Sequence, residues 1–322
     1  LFQLGNTYSA QKDTKNAHIA YKKLFQNFPK SSYTARALLR DGLLFYNDNK
    51  NVKALKNYQE IVAKYPNSSE AREAVNNAKN VYIDLGTVDE YAVWVRGISF
   101  VNITDAELDN TTYESAENKF LANDVPKAIE GFKKYIQAFP KGLHALQANF
   151  YLAQLLVKTN LEEDAIANYQ YVLALPQSEF SEEALNKLSQ ILLKKEQWAI
   201  AIPLLERLEQ EANLTLNIVY AQSNLMKGYY QSQEYKKAVN YAEKILLQDK
   251  IDAIVEYDAK IIIARSAFQT EDYLKAEEFY TEVERNANGE LKAEALYYSA
   301  YFSNKKKLYE VSNKTIQRIT SD

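Results

Sequence analysis

One spacing constrains this chain more than any other feature. A small residue, in several units followed four places later by an aromatic one, returns along the whole sequence. Ala17 and Tyr21 precede Phe28-Pro29, Ala54 and Tyr58 precede Tyr65-Pro66, Ala128 and Phe132 precede Phe139-Pro140, and Ala165 and Tyr169 precede Leu175-Pro176. The series continues without the proline at Ala201 and Leu205, Ala238 and Ala242, Ala276 and Tyr280, and Ser312 and Ile316, with Ala92 filling the one gap. The nine anchors are separated by 37, 38, 36, 37, 36, 37, 38 and 36 residues. A fixed period of this size marks a repeat array, in which each unit is one supersecondary element that buries its apolar face against its neighbours.

The unit reads as two helices. Only 8 glycines and 6 prolines occur in 322 residues, and both residues disfavour helix interiors. The second helix carries the anchor, small because the two helices cross closely there. The residue four places on lies on the same face, one turn away, and fills the space beside the crossing. The proline then stops the helix and turns the chain into the next unit. Where prolines are lost, the second helices are expected to run longer, for instance through Tyr241 to Leu247. The predicted fold is all-α, with nine hairpins.

The third unit breaks the pattern. Arg96 stands four residues after Ala92, no proline follows, and Ser99 to Asn110 shows no clean helical stripe. A loop or broken helix is therefore predicted over 99–111. It would separate an N-terminal block, 1–98, from a C-terminal block, 112–322, and could act as a hinge.

Composition excludes several chemistries. Without cysteine there is no disulfide, thiolate catalysis or cysteine-bound metal. A net charge of −3 with both signs interspersed gives no basic field for nucleic acid. No apolar run reaches 18 residues, so no membrane-spanning segment is expected. His18 and His144 are far apart in sequence and read as surface or inter-helix residues, and no phosphate-binding glycine loop occurs. Adjacent acids such as Glu162-Glu163 and Glu277-Glu278 point in different directions on a helix and read as a solvated face. Asn-x-Ser/Thr triplets begin at Asn67, Asn102, Asn110 and Asn213. The expectation is a non-catalytic protein with no cofactor and no metal. The opening Leu1-Phe2-Gln3-Leu4-Gly5, already inside a helical pattern, reads as the start of a fragment.

Leu4-Gly5-x2-Tyr8, the repeated Ala-x3-Tyr and the trailing Phe-Pro resemble tetratricopeptide repeats over essentially the whole chain. The resemblance implies a right-handed superhelical solenoid that binds a protein or peptide in its concave groove. More narrowly, Val81 to Tyr91, Tyr113-x2-Ala116 and Ala128-Ile129-x2-Phe132-x2-Tyr135 resemble the large multi-repeat proteins of Bacteroidota envelopes, described as components of a TonB-linked system. That likeness implies a scaffold in a bacterial cell-envelope assembly for transport, secretion or motility, periplasmic or associated with the outer membrane. A cytoplasmic setting stays open, as do a glycan- or peptidoglycan-binding module and a supporting region of a larger enzyme.

Counting back from each anchor places a set of first-helix residues on the inner wall: Arg36, Tyr46, Gln147, Phe150, Gln154, Tyr220, Lys227, Tyr230, Arg265, Phe268, Tyr297 and Tyr301. Tyrosine and arginine recur among them, and these residues dominate binding hot spots because they offer rigid area with a polar handle. Some tetratricopeptide proteins grip a terminal carboxylate with a Lys/Asn/Asn/Lys/Arg set. Lys227 and Arg265 occupy equivalent positions in consecutive units here, but the paired asparagines are absent.

Overall fold

The computed structural model describes residues 1–248 and 251–319. Among them run eighteen helices and no strand, paired as nine hairpins. The chain divides into two compact units, 1–168 and 169–322. The first holds α1 (Phe2–Ala10) with α2 (Thr14–Asn27), α3 (Thr34–Asn47) with α4 (Asn51–Lys64), and α5 (Ser69–Leu85) with α6 (Val88–Arg96). It continues with α7 (Asp105–Leu121), α8 (Val125–Ala138) and α9 (Ala145–Lys158). The boundary between the units falls inside α10 (Glu162–Ala174). The second unit pairs α11 (Ser181–Lys194) with α12 (Trp198–Glu211), α13 (Thr215–Gln231) with α14 (Tyr235–Leu246), α15 (Ala253–Gln269) with α16 (Tyr273–Asn286), and α17 (Gly289–Lys305) with α18 (Tyr309–Ile319). No helix among the described residues is long and apolar enough to cross a membrane.

The turn inside each hairpin is the same turn nine times. Lys12, Asn49, Gly86, Asn123, Asn160, Glu196, Gln233, Glu271 and Lys307 all have φ between 55° and 76°. The next residue's amide returns to a carbonyl five places back, as in Lys50 N to Phe45 O (2.8 Å), Thr87 N to Tyr82 O (3.0 Å) and Gln197 N to Leu192 O (2.9 Å). This is the Schellman closure, which satisfies a carbonyl the ending helix leaves open and needs one left-handed residue. Eight of the nine are not glycine, although the left-handed well costs an L-residue about 1–2 kcal/mol. Replacing Glu196 by glycine relieves that strain at an entropic cost of about 0.5–1 kcal/mol. The expected outcome is a variant more stable by several tenths to about 1 kcal/mol, read from its urea midpoint.

The anchors stand where the spacing puts them, with one correction. Ala17, Ala54, Ala128, Ala165, Ala201, Ala238 and Ala276 are fully buried and Ser312 nearly so, but Ala92 is only half-buried. Each left-handed residue precedes its anchor by five places, and Gly86 therefore points to Tyr91. Tyr91 and Val95 are both buried. The third hairpin thus keeps the 37-residue period and reverses the sizes: a tyrosine at the crossing and a smaller valine four residues on. In six other hairpins a large residue comes second, and Tyr21, Tyr58, Phe132, Tyr169, Leu205 and Tyr280 are all at most 1% exposed; Ala242 takes the place in the seventh, and Ile316 in the last is 47% exposed. The first helix makes room for the large residue. A Cβ on Gly42 would lie 2.6 Å from the Tyr58 ring, and Gly5 faces Tyr21 in the same way. The crossings have no spare volume, so Ala128→Phe should destabilise by about 1–3 kcal/mol, measured as a loss of urea midpoint at unchanged slope.

Two further expectations need correction. The non-helical stretch of the third hairpin is shorter than 99–111, because α7 begins at Asp105. Thr104 caps it: its hydroxyl accepts from Glu107 N (3.2 Å), and the Glu107 carboxylate accepts from Thr104 N (2.7 Å). Within α7, Thr111 and Thr112 donate to carbonyls four residues back, so these residues do not break the helix. The late second helices do not run on either. α14 has 12 residues against 14 in α2, α4 and α8. A second helix ends where its apolar stripe ends, and Leu247, which caps α14, is 82% exposed.

Candidate binding faces of the first helices

The twelve predicted wall residues fall at four positions of the first helix, 18, 15, 11 and 8 residues before the anchor. Those offsets share one helix face. What the side chains do there divides them into three groups.

The charged ones are paired, and each pair joins one hairpin to the next. Lys227 Nζ of α13 lies 2.5 Å from Asp258 of α15. Arg265 of α15 makes a bidentate pair with Glu294 of α17, at 2.8 and 2.5 Å, and this carboxylate also accepts from the Tyr280 hydroxyl at 3.2 Å. The two rungs have the same register, a base 11 before one anchor and an acid 18 before the next. Hydrogen bonding to Glu294 pushes the Arg265 guanidinium above its ordinary pKa. Arg36 Nε likewise donates to Glu70 at 3.0 Å, from α3 to α5. A bidentate pair half out of water fixes geometry as well as charge. Both cations considered for a carboxylate grip are therefore already neutralised.

The second group is packed. Phe150 is 4% exposed and belongs to the core, not to a wall. Tyr46 is half-buried and its hydroxyl donates to Asp84 at 2.6 Å. Burial, reinforced by that carboxylate, pushes its pKa up to about 12. Gln147 is half-buried with its Oε1 buried and unpartnered, Gln154 is half-buried, and Tyr220 is half-buried beside Ser189.

The third group forms an aromatic surface in the second unit. Phe268 touches Tyr298, Tyr301 and Tyr273, with ring centroids 4.6, 5.4 and 5.7 Å away. Tyr297 stands against Tyr298 and is 57% exposed, while Tyr301 is half-exposed. The Lys305 ammonium sits over the rings of Tyr301 and Tyr273 at 5.5 and 5.8 Å. One hairpin earlier, Tyr230 touches Tyr235. Lys227, Tyr230 and Arg265 come together around a cavity of 190 Å³ that Trp198, Asp258 and Ile262 help to line. Residue-type reasoning missed Asp258, Glu294 and Trp198. The two acids carried a signal, since they repeat in register with the two bases.

In the first unit, Arg36 lines a 580 Å³ cavity together with Phe2, Asn6, Ser9, Tyr21 and Arg40. Both histidines are joints between helices. His18 Nδ1 lies 2.5 Å from Asp41, whose other oxygen accepts from Asn57 at 2.8 Å. His144 stacks on Tyr113 and its Nε2 lies 2.7 Å from the Asn110 side-chain oxygen. Burial raises the pKa of Asp41, which two donors partly offset.

The tetratricopeptide repeat family model matches residues 1–31 and 36–68. The match covers the first two hairpins. The later hairpins share their left-handed closing turn. No curated protein matches the chain. Among solved structures, the tetratricopeptide domain of P58(IPK) is 15% identical and spans 99% of this chain and 91% of its own, with a TM-score of 0.33. A tetratricopeptide repeat protein of Parabacteroides merdae is 14% identical over 81% of this chain and 96% of its own, with a TM-score of 0.30. The pilF protein of Pseudomonas aeruginosa is 16% identical over 66% and 88%, with a TM-score of 0.38.

Proposed function

We propose that this protein is a non-catalytic scaffold that holds a partner protein against the first-helix face of its last three hairpins. The observation that carries the reading is the aromatic surface around Phe268, with Tyr297 and Tyr301 reaching solvent beside it. Aromatic rings held rigid by neighbouring rings bind at low entropic cost, and Tyr and Trp anchors dominate interface energies. The paired rungs Lys227–Asp258 and Arg265–Glu294 border that surface and set a polar rim. Tetratricopeptide hairpins at the N-terminal end suit the same role.

The finer reading places the scaffold in a bacterial cell-envelope assembly for transport, secretion or motility, periplasmic or at the outer membrane. Its support is the likeness of Val81 to Tyr91, Tyr113 to Ala116 and Ala128 to Tyr135 to envelope multi-repeat proteins. A photo-crosslinking amino acid at position 301, in cells carrying the full-length protein, should yield a discrete protein adduct in the envelope fraction. The same probe at Val52, exposed on a second helix, should yield none. Equal labelling at both positions would remove the aromatic face as the docking surface, and recovery in the cytosolic fraction would remove the envelope setting. Pelleting with purified peptidoglycan, lost on Tyr297→Ala, would instead favour sugar stacking on the same tyrosines.

A further inference from the structure

The irregular third hairpin leaves a groove. α6 is 9 residues long where α4 and α8 have 14, and Tyr91 takes the crossing position that alanine holds in most other hairpins. Between α6, α7 and α8 lies an open cavity of 470 Å³. Residues 88, 92 and 96 form its α6 side, at the spacing of a single helix face, and residues 108, 112 and 115 form its α7 side. It therefore runs along the whole of α6, about 12 Å at the helical rise.

We propose that this groove binds a small amphipathic anion, a medium-length acyl or aryl chain bearing one acidic group. Val88, Ala92, Leu108, Ala138 and Phe139 supply an apolar lining. The two hydroxyls in it ask nothing of a ligand, because Ser115 donates to Ile83 O at 2.9 Å and Thr112 to Leu108 O at 2.7 Å. Hydroxyls that are already bonded leave this part of the lining suited to an apolar occupant, and the Gln137 amide stands among the lining residues with Lys134. The volume lies within the range of about 300–1,000 Å³ found for small-molecule sites. Arg96 and Lys134 stand at the rim against one acid, Asp89. Arg96 pairs with Asp105, at 3.3 Å, and that carboxylate is 92% exposed; the Lys134–Glu130 pair is also largely in solvent. Such exposed pairs are weak and exchange readily for a ligand anion that arrives with its apolar body buried.

Decanoate is the probe, titrated calorimetrically into the full chain, with 1-decanol as its neutral counterpart. Decanoate should bind saturably at one site. Ala92→Phe and Ala138→Trp, which fill the groove from opposite walls and leave the crossings alone, should each weaken it by about tenfold or more with helicity and unfolding midpoint unchanged. Arg96→Glu should weaken decanoate several-fold more than decanol. The proposal is overturned if no saturable binding occurs, or if both filling variants bind as the parent does. It is also overturned if the filling variants lose a protein adduct but decanoate never binds, since the groove is then a protein dock.

Discussion

Replacing Phe132 with alanine should destabilise the first unit by about 3–5 kcal/mol, the largest loss expected from a single truncation in this chain. Phe132 is fully buried at the crossing of α7 and α8. Its ring meets Tyr113 and Tyr151 at 6.0 Å and Phe120 at 6.1 Å, so removing it opens a void walled by three other rings. Those rings are held elsewhere: Tyr113 stacks on His144 at 4.3 Å and Phe120 on Tyr151 at 4.8 Å. They cannot collapse inward without giving up those contacts, which puts the cost near the upper end. In a repeat array stability is a sum of hairpin and nearest-neighbour terms, so the damage should be local. Hydrogen exchange should show protection lost first in α7 and α8 and retained in the second unit, with a urea midpoint falling for the first unit only. A uniform loss across both units would contradict nearest-neighbour coupling, and a loss below about 1 kcal/mol would mean the crossing can repack.

How much of this was legible in the residues depends on whether a feature repeats. The period, the nine hairpins and most of the buried anchors follow from one spacing, because successive units solve the same crossing, most of them with a small residue at the anchor. The third unit misled by one residue: Ala92 is small and nearly in register, whereas the crossing is held by Tyr91 with the sizes reversed. Gly86 was the signal that could have corrected it. It is the only glycine among the nine left-handed turn residues, and it stands five places before Tyr91. Thr104 and Glu107 likewise spelled a capping box that sets the start of α7. The wall was less legible. Its helix face follows from the offsets, but whether Lys227 or Arg265 is free depends on acids 31 and 29 residues away on the next hairpin. Phe150 sat at a wall offset and is nonetheless core, since aromatic residues fill whichever side the neighbouring hairpin covers.

Asp109→Ala should cost about 2–5 kcal/mol, nearly as much as Phe132→Ala, although it removes only a small polar group. Asp109 is 5% exposed on α7 and organises the turn between α8 and α9. One oxygen accepts from the Tyr135 hydroxyl at 2.5 Å and the other from Leu143 N at 2.8 Å, while the Tyr135 oxygen accepts from His144 N at 2.9 Å. Gly142 is required beside this cluster, because a Cβ there would lie 2.5 Å from both Asp109 Oδ2 and the Tyr135 oxygen, leaving no room for a side chain. Removing the carboxylate therefore takes an acceptor from both the Tyr135 hydroxyl and the Leu143 amide, and a hydrogen bond to a charged group is worth about 1.5–3 kcal/mol. The double-mutant cycle with Tyr135→Phe is the decisive measurement. In the parent, Tyr135→Phe breaks a bond to a carboxylate and should be costly. In the Asp109→Ala background that bond is already gone, so the second substitution should cost at least about 1 kcal/mol less than in the parent. Additive costs would mean that the Tyr135 hydroxyl and Asp109 are not coupled in solution, and that the α8–α9 turn is held by Phe139 and Pro140 packing instead of by this carboxylate.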